Sequence, residues 1–256
     1  MHILLPPSET KRSGGGNIFA PSSLSHDEVL GTTRAAVREA LVQLSQDEAA
    51  AAVALKLGTK NRHELQHNLR LDVAGSLPAI ELYTGVLYDA LDVLSLDSRS
   101  RNWLAQHVSV QSALFGLLAA SDEVPAYRLS ASSRLRGLPV TLKRTWIAAH
   151  QTIDWAAFGW VLDLRSKDYA ALAPVPQGLG AWLHIVQRTS AGEVRALNHF
   201  NKAAKGDLLR RLALDAPDIQ GATDLLEWSA HAGLQMTYDR STNQFTLTTE
   251  LGAPRR

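Results

Sequence analysis

The chain has no cysteine among its 256 residues. Disulfides, thiolate metal sites, cysteine nucleophiles and cysteine-ligated iron–sulfur clusters are therefore excluded, and the absence fits a reducing compartment. No sign of charge dominates: 26 Lys and Arg face 25 Asp and Glu, for a net charge of +1. A grip on nucleic acid would have to come from local clustering. Long apolar runs are missing, and none approaches the ~20 residues of a membrane span. The opening Met1-His2-Ile3-Leu4-Leu5-Pro6-Pro7 is too short, and too poor in basic residues, for a secretory signal. A soluble cytoplasmic protein is expected, with no membrane contact. Neither a Gly-Lys-Ser/Thr phosphate loop nor a Gly-x-Gly-x-x-Gly fingerprint occurs. His63 and His67 stand four apart, a spacing that can hold a metal, but Glu64 is misplaced for a zinc protease. They read as exposed helix histidines, and neither a metal nor a cofactor is expected.

What the chain has is 45% hydrophobic residues, enough for a large core. His2–Leu5 reads as a strand stopped by Pro6-Pro7. The following Ser8-Glu9-Thr10-Lys11 runs into Gly14-Gly15-Gly16, a loop whose Ser8, Thr10 and Lys11 could hold an oxyanion. Residues 26–57 read as helical, with Asp27 as N-cap and Gly58 as the stop. A helix capped by Asp97 or Ser98 spans 97–107, and 108–118 reads as buried strand running into a tight turn. Val124–Ile153 carries Arg128, Arg134, Arg136, Lys143 and Arg144 with hydroxyls between them and no acid, the composition of a phosphate-tracking surface. A helix is expected over 147–158. The strand Trp160–Leu164 leads into Arg165-Ser166-Lys167-Asp168, a charged segment where sites in α/β proteins are found. Asp163 with Arg165 or Lys167 could equally form an internal salt bridge. Gly180–Gln187 and Val194–Phe200 read as paired strands, 225–234 as a helix, and 236–239 with 244–249 as a closing hairpin.

The most informative stretch runs from His199 to Leu212. At helical pitch Lys202 and Lys205 share a stripe with Leu209 and Leu212. A buried ammonium is costly unless partnered, so these lysines are expected to line a polar cleft and meet an anion. The bland alternative is that they snorkel into water. Helices and strands mix without a regular βαβ beat, which points to one compact α+β domain over residues 1–256.

Five stretches together resemble the bacterial peroxide-stress family YaaA and its actinobacterial relatives. They are Leu4–Lys11, Tyr83-Thr84-Gly85, Leu114-Phe115-Gly116-Leu117 through Tyr127-Arg128-Leu129, Asp163–Tyr169, and Phe200–Gly206. The resemblance implies the family's mixed α/β "cantaloupe" fold, a positively charged cleft, an element like a helix-hairpin-helix, and DNA binding that limits oxidative damage. Lys11, Arg128, Lys202 and Lys205 fall on its basic motif positions, and Gly116 on its hairpin glycine. The chain also departs from the pattern. Ser121-Asp122-Glu123 is acidic where a basic residue and proline follow the hairpin in better-known members. Asp163-Leu164-Arg165-Ser166 replaces Asn-Leu-Ala-Ser, and Asn201 replaces a tyrosine.

The expected phosphate- or DNA-binding set is therefore Ser8, Lys11, Gly116, Arg128, Arg134, Arg165, Ser166, Lys202 and Lys205. The alternative is an enzyme acting on a small anionic or nucleobase-containing substrate. In it Lys202 or Lys205 is the nucleophile or electrostatic stabiliser, and Glu9, Asp163 or Asp168 the acid–base partner. A third reading is an inert network of mutually satisfied charges.

Overall fold

The computed structural model describes residues 1–188, 194–195 and 198–249. In chain order the strands are β1 (His2–Leu5), β2 (Asn17–Ile18), β3 (Gly75–Pro78), β4 (Val108–Ser112), β5 (Gly116–Ala119), β6 (Glu123–Pro125), β7 (Val161–Asp163), β8 (Gly180–Arg188), β9 (Val194–Arg195), β10 (Gln235–Asp239) and β11 (Gln244–Thr249). The α-helices are α1 (Asp27–Ser45), α2 (Glu48–Ala54), α3 (Leu65–Leu69), α4 (Ala79–Leu82), α5 (Val86–Leu91), α6 (Ser98–His107), α7 (Leu142–His150), α8 (Lys167–Ala170), α9 (Asn198–Asp215) and α10 (Ala222–His231).

The main sheet runs β10-β11-β8-β7-β1-β4-β5, with β9 added against β8. Its centre is parallel: β4, β1, β7, β8 and β11 all point the same way. Hairpin partners β5 and β10 close the two ends. A small antiparallel sheet, β2-β3-β6, lies apart. The fold is thus a single mixed α/β domain. The parallel centre departs from the α+β expectation, and the reason is the long excursion between β1 and β4, which hides the βαβ rhythm.

Strands β1, β4 and β7 are buried along their whole length, as parallel strands covered on both faces must be. Helices supply that cover in two clusters, α1 with α2, α3 and α7, and α5 with α6 and α9. The α5–α9 contact depends on Gly206, where an added Cβ would stand 2.1 Å from the Leu87 carbonyl oxygen. No side chain fits there, so the two backbones touch.

Several local boundaries moved. His26, in the left-handed region at φ 60°, occupies the cap position of α1, and Asp27 is its first helical residue. Helix α2 ends at Ala54, before Gly58. Helix α7 begins at Leu142 because the Thr141 side chain accepts from the Arg144 N–H, and it ends at His150; a separate 3-10 turn covers Trp155–Phe158. Phe200 belongs to α9, not to a strand. The connection between the expected strands Gly180–Gln187 and Val194–Phe200, at 189–193, lies outside the described residues. His63 sits in a 3-10 turn and His67 in α3. Among the described residues no three ligating side chains gather to hold a metal, and no helix is long and apolar enough to cross a membrane.

Candidate functional site

Taken in chain order, the five parallel strands lie second, first, third, fourth, fifth across the sheet. The order reverses between β1 and β7. Connections leave opposite ways there, and the carboxyl ends of strands at such a reversal are where open α/β sheets bind ligands. The Pro6–Lys11 loop follows β1 at that place, and Leu164–Tyr169 follows β7. The two are stitched by the Leu164 N–H donating to the Leu4 carbonyl at 2.9 Å.

The first loop pairs with the 82–84 segment through Arg12 N–H to Leu82 O at 2.8 Å and Thr84 N–H to Thr10 O at 3.1 Å. This holds Lys11 half-buried over the rings of Tyr127 and Tyr83, 4.2 and 5.5 Å from their centroids. Its ammonium donates to the carbonyls of Ser8 at 3.0 Å and Glu9 at 3.3 Å. Burial, then the Arg128 guanidinium, pull its pKa down to about 7 against the opposing Glu64 and Glu9.

Arg128 is itself buried. It forks between Glu9 and Glu64, at 3.1 Å each, so two carboxylates already answer its charge. Behind it lies a hydroxyl chain. Ser112 Oγ accepts the N–H groups of Leu114 and Phe115. With both lone pairs used, its own O–H must donate to Tyr127, 2.7 Å away. Tyr127 then donates to Tyr83 at 2.9 Å. The Tyr83 proton comes last, with no acceptor assigned among the described residues.

Beyond β7, Arg165 is wholly buried. It holds both Asp163 oxygens, at 2.9 and 2.6 Å, and donates to the Ala173 carbonyl at 2.9 Å. Of the alternatives left open for Asp163, the internal salt bridge with Arg165 is the one formed. This guanidinium cannot reach an external phosphate.

Lys205, also buried, donates to the Leu164 carbonyl at 2.8 Å. Burial lowers its pKa to about 8, with Asp163 opposing. The lysine stripe is real at Lys205, Leu209 and Leu212, but Lys202 one turn earlier is exposed. Asn201 Oδ1, at i−4 from Lys205, and Gln187 Oε1, near the carboxyl end of β8, are buried with no hydrogen-bond partner among the described residues.

Other expected residues are scattered. Ser166 and Asp168 are exposed on α8, and Ser8 is half-buried in its loop. Arg134 lines a separate groove with Arg136 and Lys56. Gly116 lies in the core at φ +68°, where a Cβ would come within 2.6 Å of the Trp146 ring. The β4–β5 hairpin tip is buried, and Trp146 and Arg34 bind its Ala113, Phe115 and Leu117 carbonyls. It cannot offer its Leu114 and Phe115 N–H groups to a phosphate, because Ser112 takes them. The acidic departure is structural too: buried Asp122 accepts from Ser25 and the Ala119 N–H, and Glu123 binds Asn17 and Ser76. Sequence reasoning missed Arg34, the tyrosine chain and Gln187. Arg34 interrupts the apolar stripe of Leu30, Val37 and Leu41, and that interruption was its only signal.

Residues 1–237 match the peroxide stress protein YaaA family. The chain belongs to that family. It is similar to a UPF0246 protein of Streptomyces coelicolor, 38% identical over 231 residues, covering 89% of this chain and 88% of the relative. UPF0246 proteins of Corynebacterium glutamicum and Corynebacterium efficiens are 35% and 36% identical over 239 and 241 residues, each covering 91% of this chain and 94% of the relative. Membership in YaaA accounts for the five motif stretches, and the fold links all five: the Leu4–Lys11 stretch pairs with Thr84, binds Arg128 through Glu9 and meets Leu164, whose carbonyl takes Lys205.

Proposed function

We propose that this YaaA-family protein serves the peroxide-stress role through a small-molecule site at the β1–β7 switch point, taking an anionic ligand that carries a nucleobase or similar amide-bearing group. The observation that carries this reading is the pairing of Lys205, a buried cation whose one hydrogen bond among the described residues goes to a backbone carbonyl and which lies 5.8 Å from the Trp182 ring centroid, with Asn201 Oδ1 one turn away, an acceptor without a partner among those residues. A cation calls for an oxyanion, and orphaned acceptors call for N–H or O–H donors. Gln187 Oε1 adds a second such acceptor. If the site is catalytic, Lys205 or Lys11 is the nucleophile, because an amine titrating near neutrality is partly unprotonated at pH 7 and can add to a carbonyl or anomeric carbon. Glu9, exposed beside Lys11, is the carboxylate best placed to move a proton.

DNA binding through a basic cleft is the second reading. It rests on the exposed cations Lys202, Lys143, Arg144 and Arg134. The engagement of Arg128 and Arg165 with carboxylates, and the burial of Gly116, weigh against it.

Titration calorimetry with a panel of nucleosides and nucleotides, beside fluorescence anisotropy on a labelled duplex across a salt series, separates the two. The small-molecule reading expects a nucleotide to bind, with loss of at least tenfold in Lys205→Ala and a smaller loss in Asn201→Ala. It is wrong if nothing in the panel binds while the duplex does, with a salt slope that Lys202→Ala/Lys205→Ala reduces.

A further inference from the structure

A second concavity lies away from the switch point, between α2 and the 130–136 segment. It has a volume of about 560 Å³, within the range of small-ligand sites. Its apolar lining is wholly aliphatic: Leu44, Ala50, Val53 and Ala54. Val53, next to the last residue of α2, is 81% exposed, a large apolar side chain left open to solvent. Its polar lining is wholly cationic or hydroxylic: Lys56, Arg134 and Arg136, with Ser132 among them. No carboxylate lines it among the described residues. The nearest acid on α2, Glu48, is turned to Arg62 at 3.4 Å. Lys56, in the left-handed region at φ 56°, donates to Ser132 Oγ at 3.4 Å, so its amine reaches across to the far wall.

We propose that this groove binds a single-chain amphiphile with an anionic head, the alkyl chain lying along Leu44, Val53 and Ala54 and the head held by Arg134, Arg136 and Lys56. The charge complementarity is one-sided, because three cations line the groove and no anion answers them. The aliphatic floor selects the tail. It has no aromatic ring on which a base could stack, which disfavours nucleotides and single-stranded nucleic acid. Guanidinium forks match a phosphate or carboxylate head in a way a neutral head cannot use. Burying the tail would also cover Val53.

The test is titration calorimetry of the whole chain with dodecyl phosphate below its micelle concentration. Inorganic phosphate and dodecyl maltoside serve as head-only and tail-only controls. Wild type is expected to bind dodecyl phosphate at least tenfold more tightly than either control. Val53→Asp and Arg134→Ala/Arg136→Ala should each weaken it at least tenfold with thermal unfolding unchanged, since these side chains are exposed. Three results would overturn the proposal: no binding by wild type, equal binding by both variants, or inorganic phosphate binding as tightly as the amphiphile. The last would leave a bare anion patch.

Discussion

Replacing Arg165 with methionine separates a structural arginine from a phosphate-binding one. The side chain is wholly buried, grips both oxygens of Asp163 and donates to the Ala173 carbonyl. Arg165→Met leaves a buried carboxylate holding only the backbone N–H of residue 165, and the Ala173 carbonyl without the guanidinium it bound. Breaking a buried pair from one side costs about 3–5 kcal/mol. Removing both charges together, as in Arg165→Met/Asp163→Leu, should recover most of that loss, because the desolvation of two ions disappears with them. The assay is equilibrium urea unfolding followed by tryptophan fluorescence, read as a midpoint shift at constant slope. An arginine that served only an external ligand would change stability by no more than about 0.5 kcal/mol. The reasoning fails if the single variant loses less than about 1 kcal/mol, or if the double variant loses as much as the two singles combined.

Gly116→Ala should destabilise by about 2–4 kcal/mol, from the left-handed backbone together with overpacking against Trp146, whose indole N–H is pinned to Ala113; a calorimetric melt checks it. His150 donates from Nδ1 to the Trp146 carbonyl at 2.7 Å and is buried neutral, its pKa held to about 4 chiefly by burial. The folded value lies below the unfolded one, so its contribution is intact above pH 6.5 and is lost as pH falls toward 4, to roughly 3 kcal/mol. Urea titrations at pH 7 and pH 4 should show a loss that His150→Gln reduces. Lys11, with its amine near 7, should be methylated by formaldehyde and cyanoborohydride at pH 7 ahead of exposed lysines such as Lys143; peptide mass spectrometry that finds it among the last to react would contradict the lowered value.

What could be read from the sequence was local. Lys205, Leu209 and Leu212 lie on one stripe because helical pitch dictates it, and the proline stop after Leu5 ends β1 where expected. Distant partnerships could not be read. Arg128 looked like a phosphate ligand because Glu9 and Glu64 stand far from it in the chain, yet both close on it. Asp122 read only as part of an acidic departure from the family pattern, because its donors Ser25 and Ala119 are brought to it by the fold. The parallel order of the sheet was hidden for the same reason, since nothing near β1 announces which later strands flank it. The switch point between β1 and β7, a product of that order, appeared only with the topology.

The central position of β1 has a consequence for synthesis. Ile3, Leu4 and Leu5 leave the ribosome about a hundred residues or more before their partners, Val108–Val110 on one side and Val161–Asp163 on the other. At cellular elongation speeds the second partner arrives on the order of ten seconds later. Both edges of this apolar run are bare until Val108–Val110 follows, and one stays bare until Val161–Asp163, the condition under which nascent chains aggregate. The strand at the centre of the sheet is thus the one that waits longest to be covered, and the protein's yield should respond to chaperones that bind nascent apolar segments.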